Sequence, residues 1–162
     1  LGVFELPVKK KILAESITIA VDGINDPGNL GTIIRLCDWF GLSELFCSYD
    51  TVDCYNPKVI QASAGSIVRV ECHYVKDLSK SLGALNKPIF GTTSKGDSLY
   101  STNLSSRASY VFGSEAHGIS DSLLSKLNGK ISIPAFRIGN NKPESLNVAS
   151  ATAIFLSELQ KK

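Results

Sequence analysis

Apolar positions along this chain follow two alternating periods. Short, β-branched runs at Ile17–Val21, Glu44–Tyr49, Ile67–Cys72, Pro88–Gly91, Ser109–Phe112 and Lys130–Pro134 read as strands. Between them lie segments with helical spacing. Leu30, Ile33, Ile34, Cys37 and Phe40 recur at three- and four-residue intervals, and Gly41 stops the helix they define. Pro57, at a first helical position after Asn56, opens a short helix through Ser63. Val75–Leu85 predicts a modest helix, and Ser120 with Asp121 caps another over Leu123, Leu124 and Leu127. The first strand is nearly continuous in apolar character, as a strand buried on both faces is. Alternating β and α through almost the whole length predicts an α/β fold, a mostly parallel sheet with helices on both faces.

The last helix differs from the others. Leu146, Ala149, Ala153 and Leu156 line one side, and Val148, Phe155 and Leu159 line another. Two apolar stripes predict burial between the sheet and a second surface. Ser145 and Asn147 are the polar exceptions at its start, either of which can cap a free first-turn N–H or face a ligand. Pro134 ends the preceding strand, because proline has no N–H to give to a ladder.

Composition narrows the class. The 162 residues are 43% hydrophobic and 20% charged, which suits one globular domain. No apolar run approaches the roughly 18–20 residues of a membrane span, and no signal-peptide pattern opens the chain, so a cytoplasmic location is expected. Cys37, Cys47, Cys54 and Cys72 lack metal-ligand spacing and read as reduced thiols, and no metal is expected. A net charge of +2 is a weak footprint for nucleic-acid binding. With Leu1 first and no methionine, residues 1–15 read as a linker or the end of an N-terminal domain lying upstream.

Candidate chemistry sits in the loops beyond the strands' carboxyl ends, where open parallel sheets bind ligands. Asp22–Gly31 is turn-rich, with Asn29 placed to cap the next helix and Arg35 one turn further on, off the apolar stripe. A solvated arginine is the plain alternative there. Thr92–Ser98 is a small polar loop, and Gly113–Gly118 places Glu115 at a strand end between two glycines. Neither the dinucleotide fingerprint nor the phosphate loop occurs.

Three segments speak together. Asp26–Arg35 (DPGNLGTIIR), Gly113–Gly118 (GSEAHG), and Ile133–Pro134 with Ser145–Val148 (SLNV) resemble, in order, the three motifs of the SpoU/TrmH family. These are S-adenosylmethionine-dependent RNA ribose 2′-O-methyltransferases of the SPOUT superfamily. The resemblance spans nearly the whole chain and makes residues 16–162 a catalytic domain. It implies a C-terminal trefoil knot, a homodimer, and tRNA or rRNA as substrate. It nominates Asn29, Arg35, Glu115, Ser145 and Asn147 as catalytic and RNA-contacting residues. It nominates Thr92, Thr93, Ser94, Gly113, Ile133, Ser145 and Leu146 around S-adenosylmethionine. Two departures from the family stand out: a longer loop between Pro134 and Ser145, and Ala149 where many members carry serine. The competing expectation is a knotted RNA-binding or assembly protein that keeps the fold without the chemistry.

Overall fold

The computed structural model describes residues 17–137 and 145–161. The expected linker at 1–15 and most of the long loop after Pro134 lie outside them. Six strands, β1 (Thr18–Asp22), β2 (Glu44–Ser48), β3 (Glu71–Val75), β4 (Ile89–Ser98), β5 (Ser109–Gly113) and β6 (Gly129–Ser132), form one sheet. Its order is β3-β2-β1-β5-β4-β6, and every pairing is parallel. Helices α1 (Pro27–Trp39), α2 (Pro57–Ser63), α3 (Leu78–Gly83), α4 (Asp121–Leu124) and α5 (Val148–Leu159) complete it.

Strand alternation divides the core between the two faces. Ile19, Val21, Leu45, Cys47, Tyr110 and Phe112 pack with α1, α2 and α5. Ala20, Phe46 and Val111 point the other way, against Leu78 and Leu82 of α3 and Leu123 of α4. The expected α/β sheet covered on both faces is therefore the observed fold. All four cysteines are free thiols. Burial pushes Cys37 up to about 12. Hydrogen bonding among neighbouring thiols, together with burial, raises Cys54 and Cys72. These groups stay protonated and act as small core residues. His73 is likewise buried, its ring 5.2 Å from that of Phe46.

Several boundaries differ from expectation, each for a local reason. The third strand starts at Glu71 instead of Ile67, because Ser66–Val68 winds into a 3-10 turn tied to α1. Asp38 of α1 accepts from Ser66 Oγ at 2.7 Å and from the Arg69 guanidinium at 2.7–3.0 Å. The third helix shrinks to Leu78–Gly83, since β3 runs on to Val75 and Asp77 then caps the helix through the Lys80 N–H. The fourth is a single turn without a side-chain cap from Ser120. The strand expected through Pro134 stops at Ser132.

The largest correction concerns the polar segment Thr92–Ser98, which belongs to β4 rather than to a loop. It pairs with β6 in two registers that break between Thr92 and Asp97. Gly96 allows the second register, because a Cβ there would lie 2.5 Å from the Lys130 carbonyl oxygen.

α1 and α5 run side by side. Asn29 and Asn147 touch near their N-terminal ends, and the Gln160 amide donates to the Phe40 carbonyl at 3.1 Å near their C-terminal ends. Phe155 carries α5 onto β5, with its ring 5.1 Å from Tyr110 and 5.6 Å from Phe112. α5 thus lies beside α1 on one face of the sheet, packing against β5 with one side and α1 with another. Leu146 is the exception to the expected stripe. It precedes the helix and is 48% exposed.

Glycine at position 31 sets the spacing of α1 on α2. A Cβ there would meet the Val59 carbonyl oxygen at 2.7 Å and the Ser63 nitrogen at 3.0 Å, both backbone atoms that cannot swing away. Helix propensity alone would favour alanine by about 1 kcal/mol, while overpacking costs about 1–3 kcal/mol. Gly31→Ala is expected to lower stability by about 1 kcal/mol or more, read as a lower urea midpoint at unchanged slope. A raised midpoint would show that the two helices can move apart freely.

Candidate active site

The carboxyl edge of the sheet gathers the ends of β1, β5, β4 and β6. Gly113 ends β5, and a Cβ on it would lie 2.2 Å from the carbonyl carbon of Gly118. Only glycine lets residues 114–118 fold back so tightly. The fold-back is closed by Ser114 N–H to Gly118 O at 3.0 Å and Gly118 N–H to Ser114 O at 2.8 Å. Gly118 turns the chain with φ of 69°, and the Ser120 N–H then donates to Asp22 Oδ2 at 2.8 Å. Pinned at both ends, this loop carries Glu115 to the N-termini of α1 and α5.

There one oxygen, Glu115 Oε1, accepts three hydrogen bonds. They come from Asn29 Nδ2 at 3.3 Å, Asn147 Nδ2 at 2.9 Å and the Val148 backbone N–H at 3.3 Å. Two helix N-termini facing one carboxylate is the arrangement that helix dipoles favour. Oε2 accepts nothing among the described residues.

Asn147 uses every polar atom of its side chain. Its oxygen caps α5 by accepting from the Ala149 and Ser150 N–H groups at 3.0 and 3.2 Å. Its amide nitrogen also donates to Asn29 Oδ1 at 2.9 Å. Capping alone would admit serine or aspartate; capping plus two donated bonds requires asparagine. The sequence left capping and facing a ligand as alternatives for Asn147, and the geometry shows it capping α5 and joining the network around Glu115.

Asn29 does not cap α1 as expected. Asp26 does, accepting the Asn29 N–H at 2.7 Å. Asp followed by Pro27 at the first helical position carried that signal in the sequence. Freed from capping, the Asn29 side chain turns to Glu115. A small cleft lined by Ile24, Asn25, Asp26, Asn29, Ser114, Glu115 and Val148 opens beside the network. Asp22, which anchors the Glu115 loop, was not legible as a site-building residue.

Two nominated residues stand apart. Arg35 is exposed, with no hydrogen bond or ion pair among the described residues. It lies roughly 9 Å along α1 from Asn29 and about a third of a turn around it, so neither Asn29 nor Glu115 orients it. Ser145 is exposed two residues before the cap.

Five of the seven positions nominated around a cofactor lie on or just after three adjacent strands, and Ser145 and Leu146 precede α5. Thr92–Ser94 fall on β4, Gly113 ends β5 and Ile133 follows β6. The register break leaves Thr93–Gly96 outside the paired residues of the β4–β6 ladder. Thr92 and Thr93 spend their hydroxyls on the Val111 and Lys95 carbonyls, at 2.9 and 2.6 Å. The main-chain groups of Thr93–Gly96 and the exposed Ser94 hydroxyl are what this segment leaves open. Among the described residues no group of three or more His, Cys, Asp or Glu is placed to hold a metal ion. The roomier cleft, near Lys80, Lys87 and Lys126, lies by the start of β4, away from these residues.

A parallel sheet with a polar constellation at its carboxyl edge defines an α/β protein of the ligand-binding kind. The chain belongs to the SpoU rRNA methylase family, whose model matches residues 16–157. It is 30% identical, over 98% of its length, to the 23S rRNA (guanosine(2553)-2′-O)-methyltransferase RlmP of Bacillus subtilis, of which it covers 63%. Its fold matches a TrmH-family structure from Porphyromonas gingivalis with a TM-score of 0.85 at 38% identity, covering 96% of this chain and 63% of that one. The SpoU methyltransferase AviRb of Streptomyces viridochromogenes, in complex with AdoMet, matches at TM-score 0.79 and 25% identity, covering 95% and 61%. The chain thus spans roughly three fifths of the length of these relatives.

The double duty of Asn147 is directly testable. Asn147→Ala is expected to cost about 1 kcal/mol, the usual value of a lost cap. Asn147→Asp keeps the capping oxygen but sets a second carboxylate against Glu115. Its stability deficit is expected at neutral pH and to shrink as the pH falls through the carboxylate range. Thermal melts at pH 7 and pH 4 check this. An Asn147→Asp deficit independent of pH would show that the two side chains do not face each other.

Proposed function

We propose that residues 16–162 form the catalytic domain of an S-adenosylmethionine-dependent RNA ribose 2′-O-methyltransferase acting on rRNA or tRNA. The observation that carries this reading is the convergence of Asn29, Glu115 and Asn147 on one carboxylate oxygen, from segments 86 and 32 residues apart. Membership of the family supports it, as do relatives whose names specify 23S rRNA 2′-O-methylation and a neighbouring structure holding AdoMet.

S-adenosylmethionine, when bound, supplies an activated methyl group. The backbone of Thr92–Ser94, Gly113, Ile133, Ser145 and Leu146 would hold it, with Ile133 and Leu146 giving apolar cover. The protein's own task is to position a ribose hydroxyl in line and exclude water. Glu115 Oε2, left open by the network, accepts a hydrogen bond from that hydroxyl. Asn29 and Asn147 fix the carboxylate and so fix the direction of approach. Ser145 orders the chain entering the site. Arg35, exposed and unpaired among the described residues, clamps an RNA phosphate and stabilises charge developing on the attacking oxygen. Its high proton affinity makes it a clamp before it makes it a base.

The trefoil knot, a homodimer and a cytoplasmic location belong to the same proposal. The two-register pairing of β4 with β6, and the return of α5 across β5 to α1, support the knotted path. The partly exposed side of α5 supports a dimer contact.

Calorimetric titration with S-adenosylmethionine is expected to show about one site per chain. Arg35→Ala is expected to leave that titration unchanged while lowering methyl transfer to rRNA by about 100-fold or more. Undiminished transfer by Arg35→Ala would remove the clamp from the mechanism.

A further inference from the structure

The carboxyl edge carries an aromatic pair that the methyl-transfer chemistry does not use. Tyr100 and Phe136 arrive from different strands, yet their ring centroids lie 6.3 Å apart at an interplanar angle of 34°. Both rings stay in solvent, Phe136 at 82% and Tyr100 at 50% exposure. Phe46, Phe112, Tyr110 and Phe155 are buried in the core. Trp39, Tyr49 and Tyr55 are exposed elsewhere, and Tyr100 and Phe136 are the exposed rings that contact each other.

Tyr100 is held there. Leu99, the residue before Tyr100, is buried, and its N–H donates to the Ser132 carbonyl at 2.8 Å. Ser98 Oγ accepts the Tyr100 N–H at 3.3 Å, and the Ser98 carbonyl accepts the Thr102 N–H at 3.0 Å. On the other side, Phe136 follows β6 by four residues, after Pro134. Pairing of Ser98 with Ser132 fixes the two strand ends side by side. The Tyr100 ring, exposed on an anchored turn, loses little further freedom on binding a flat ligand.

Charge and position indicate what that ligand is. Exposed Arg137 follows Phe136 directly and has no ion pair among the described residues, while Lys95 and Asp97 are exposed further back along β4. Aromatic rings beside cations are the recognition chemistry of unstacked nucleobases and their phosphates. β6 lies two strands from β5, whose following loop carries Glu115, roughly 10 Å at the usual spacing.

We propose that Tyr100 and Phe136 form a stacking platform for an unpaired base of the RNA substrate near the methylated ribose. This rests on the methyltransferase reading above. It adds a preference: the modified nucleotide lies in a single-stranded loop or bulge, because a base held in a duplex has no face to offer the rings.

The test uses the protein and its Tyr100→Ala/Phe136→Ala variant, with a fluorescein-labelled twelve-nucleotide oligo(A) as probe, alone and annealed to oligo(U). The platform predicts binding of single-stranded probe weakened by about ten-fold or more in the variant, little change for duplex, and unchanged titration with S-adenosylmethionine. The conservative Tyr100→Phe/Phe136→Tyr variant should restore single-strand binding. Equal single-strand binding by wild type and the alanine variant would overturn the platform while leaving the methyltransferase reading intact. A variant that binds RNA normally but changes its sedimentation would make the pair a protein contact, and would overturn it too. A wild-type protein that takes up S-adenosylmethionine but binds and methylates no RNA would defeat both readings together.

Discussion

A single carboxylate oxygen holds the functional edge together. Glu115 Oε1 accepts from Asn29, Asn147 and the first N–H of α5, so three remote segments meet at one atom. Two helix N-termini make that spot favourable for negative charge. The rest of the local structure serves to deliver the carboxylate there. Gly113 permits the fold-back, Gly118 turns it, and Asp22 ties down its far end. The lateral packing of α1 and α5 aligns the two donors, and Gly31 brings α2 close enough to hold α1 in place.

The parallel fold was legible because its strands are short apolar runs separated by helical stripes. The site was legible as an ordered set of motifs, less so as geometry. Asn147 shows why: a residue before a helix reads equally as cap or ligand until its amide is seen to reach Asn29 and Glu115. Asn29 failed as a cap because Asp26, three residues earlier, offered a better oxygen next to a proline. Thr92–Ser98 failed as a loop because polar composition cannot reveal a ladder that resumes in a second register, which depends on the Lys130 carbonyl passing over Gly96. The third strand was displaced by a tertiary contact, Asp38 with Ser66 and Arg69, that no local pattern encodes.

Arg35 is the informative outlier. The motif groups it with Asn29, but helical geometry turns it away from the carboxylate that Asn29 serves. A guanidinium kept free of protein carboxylates retains its fork for a phosphate. The same edge therefore separates two tasks. The amide–carboxylate network is spent on internal order and leaves one oxygen open, while Arg35 has no partner among the described residues and is free for the phosphate contact proposed above.

The reaction proposed for this edge is methylation of a ribose. The most direct measurement is mass-spectrometric analysis of nucleosides from rRNA and tRNA incubated with the protein and S-adenosylmethionine, beside a Glu115→Ala control. The account predicts a new 2′-O-methyl nucleoside in the wild-type digest and its loss in the control. A base-methylated nucleoside, or a 2′-O-methyl mark that persists undiminished without the Glu115 carboxylate, would contradict it.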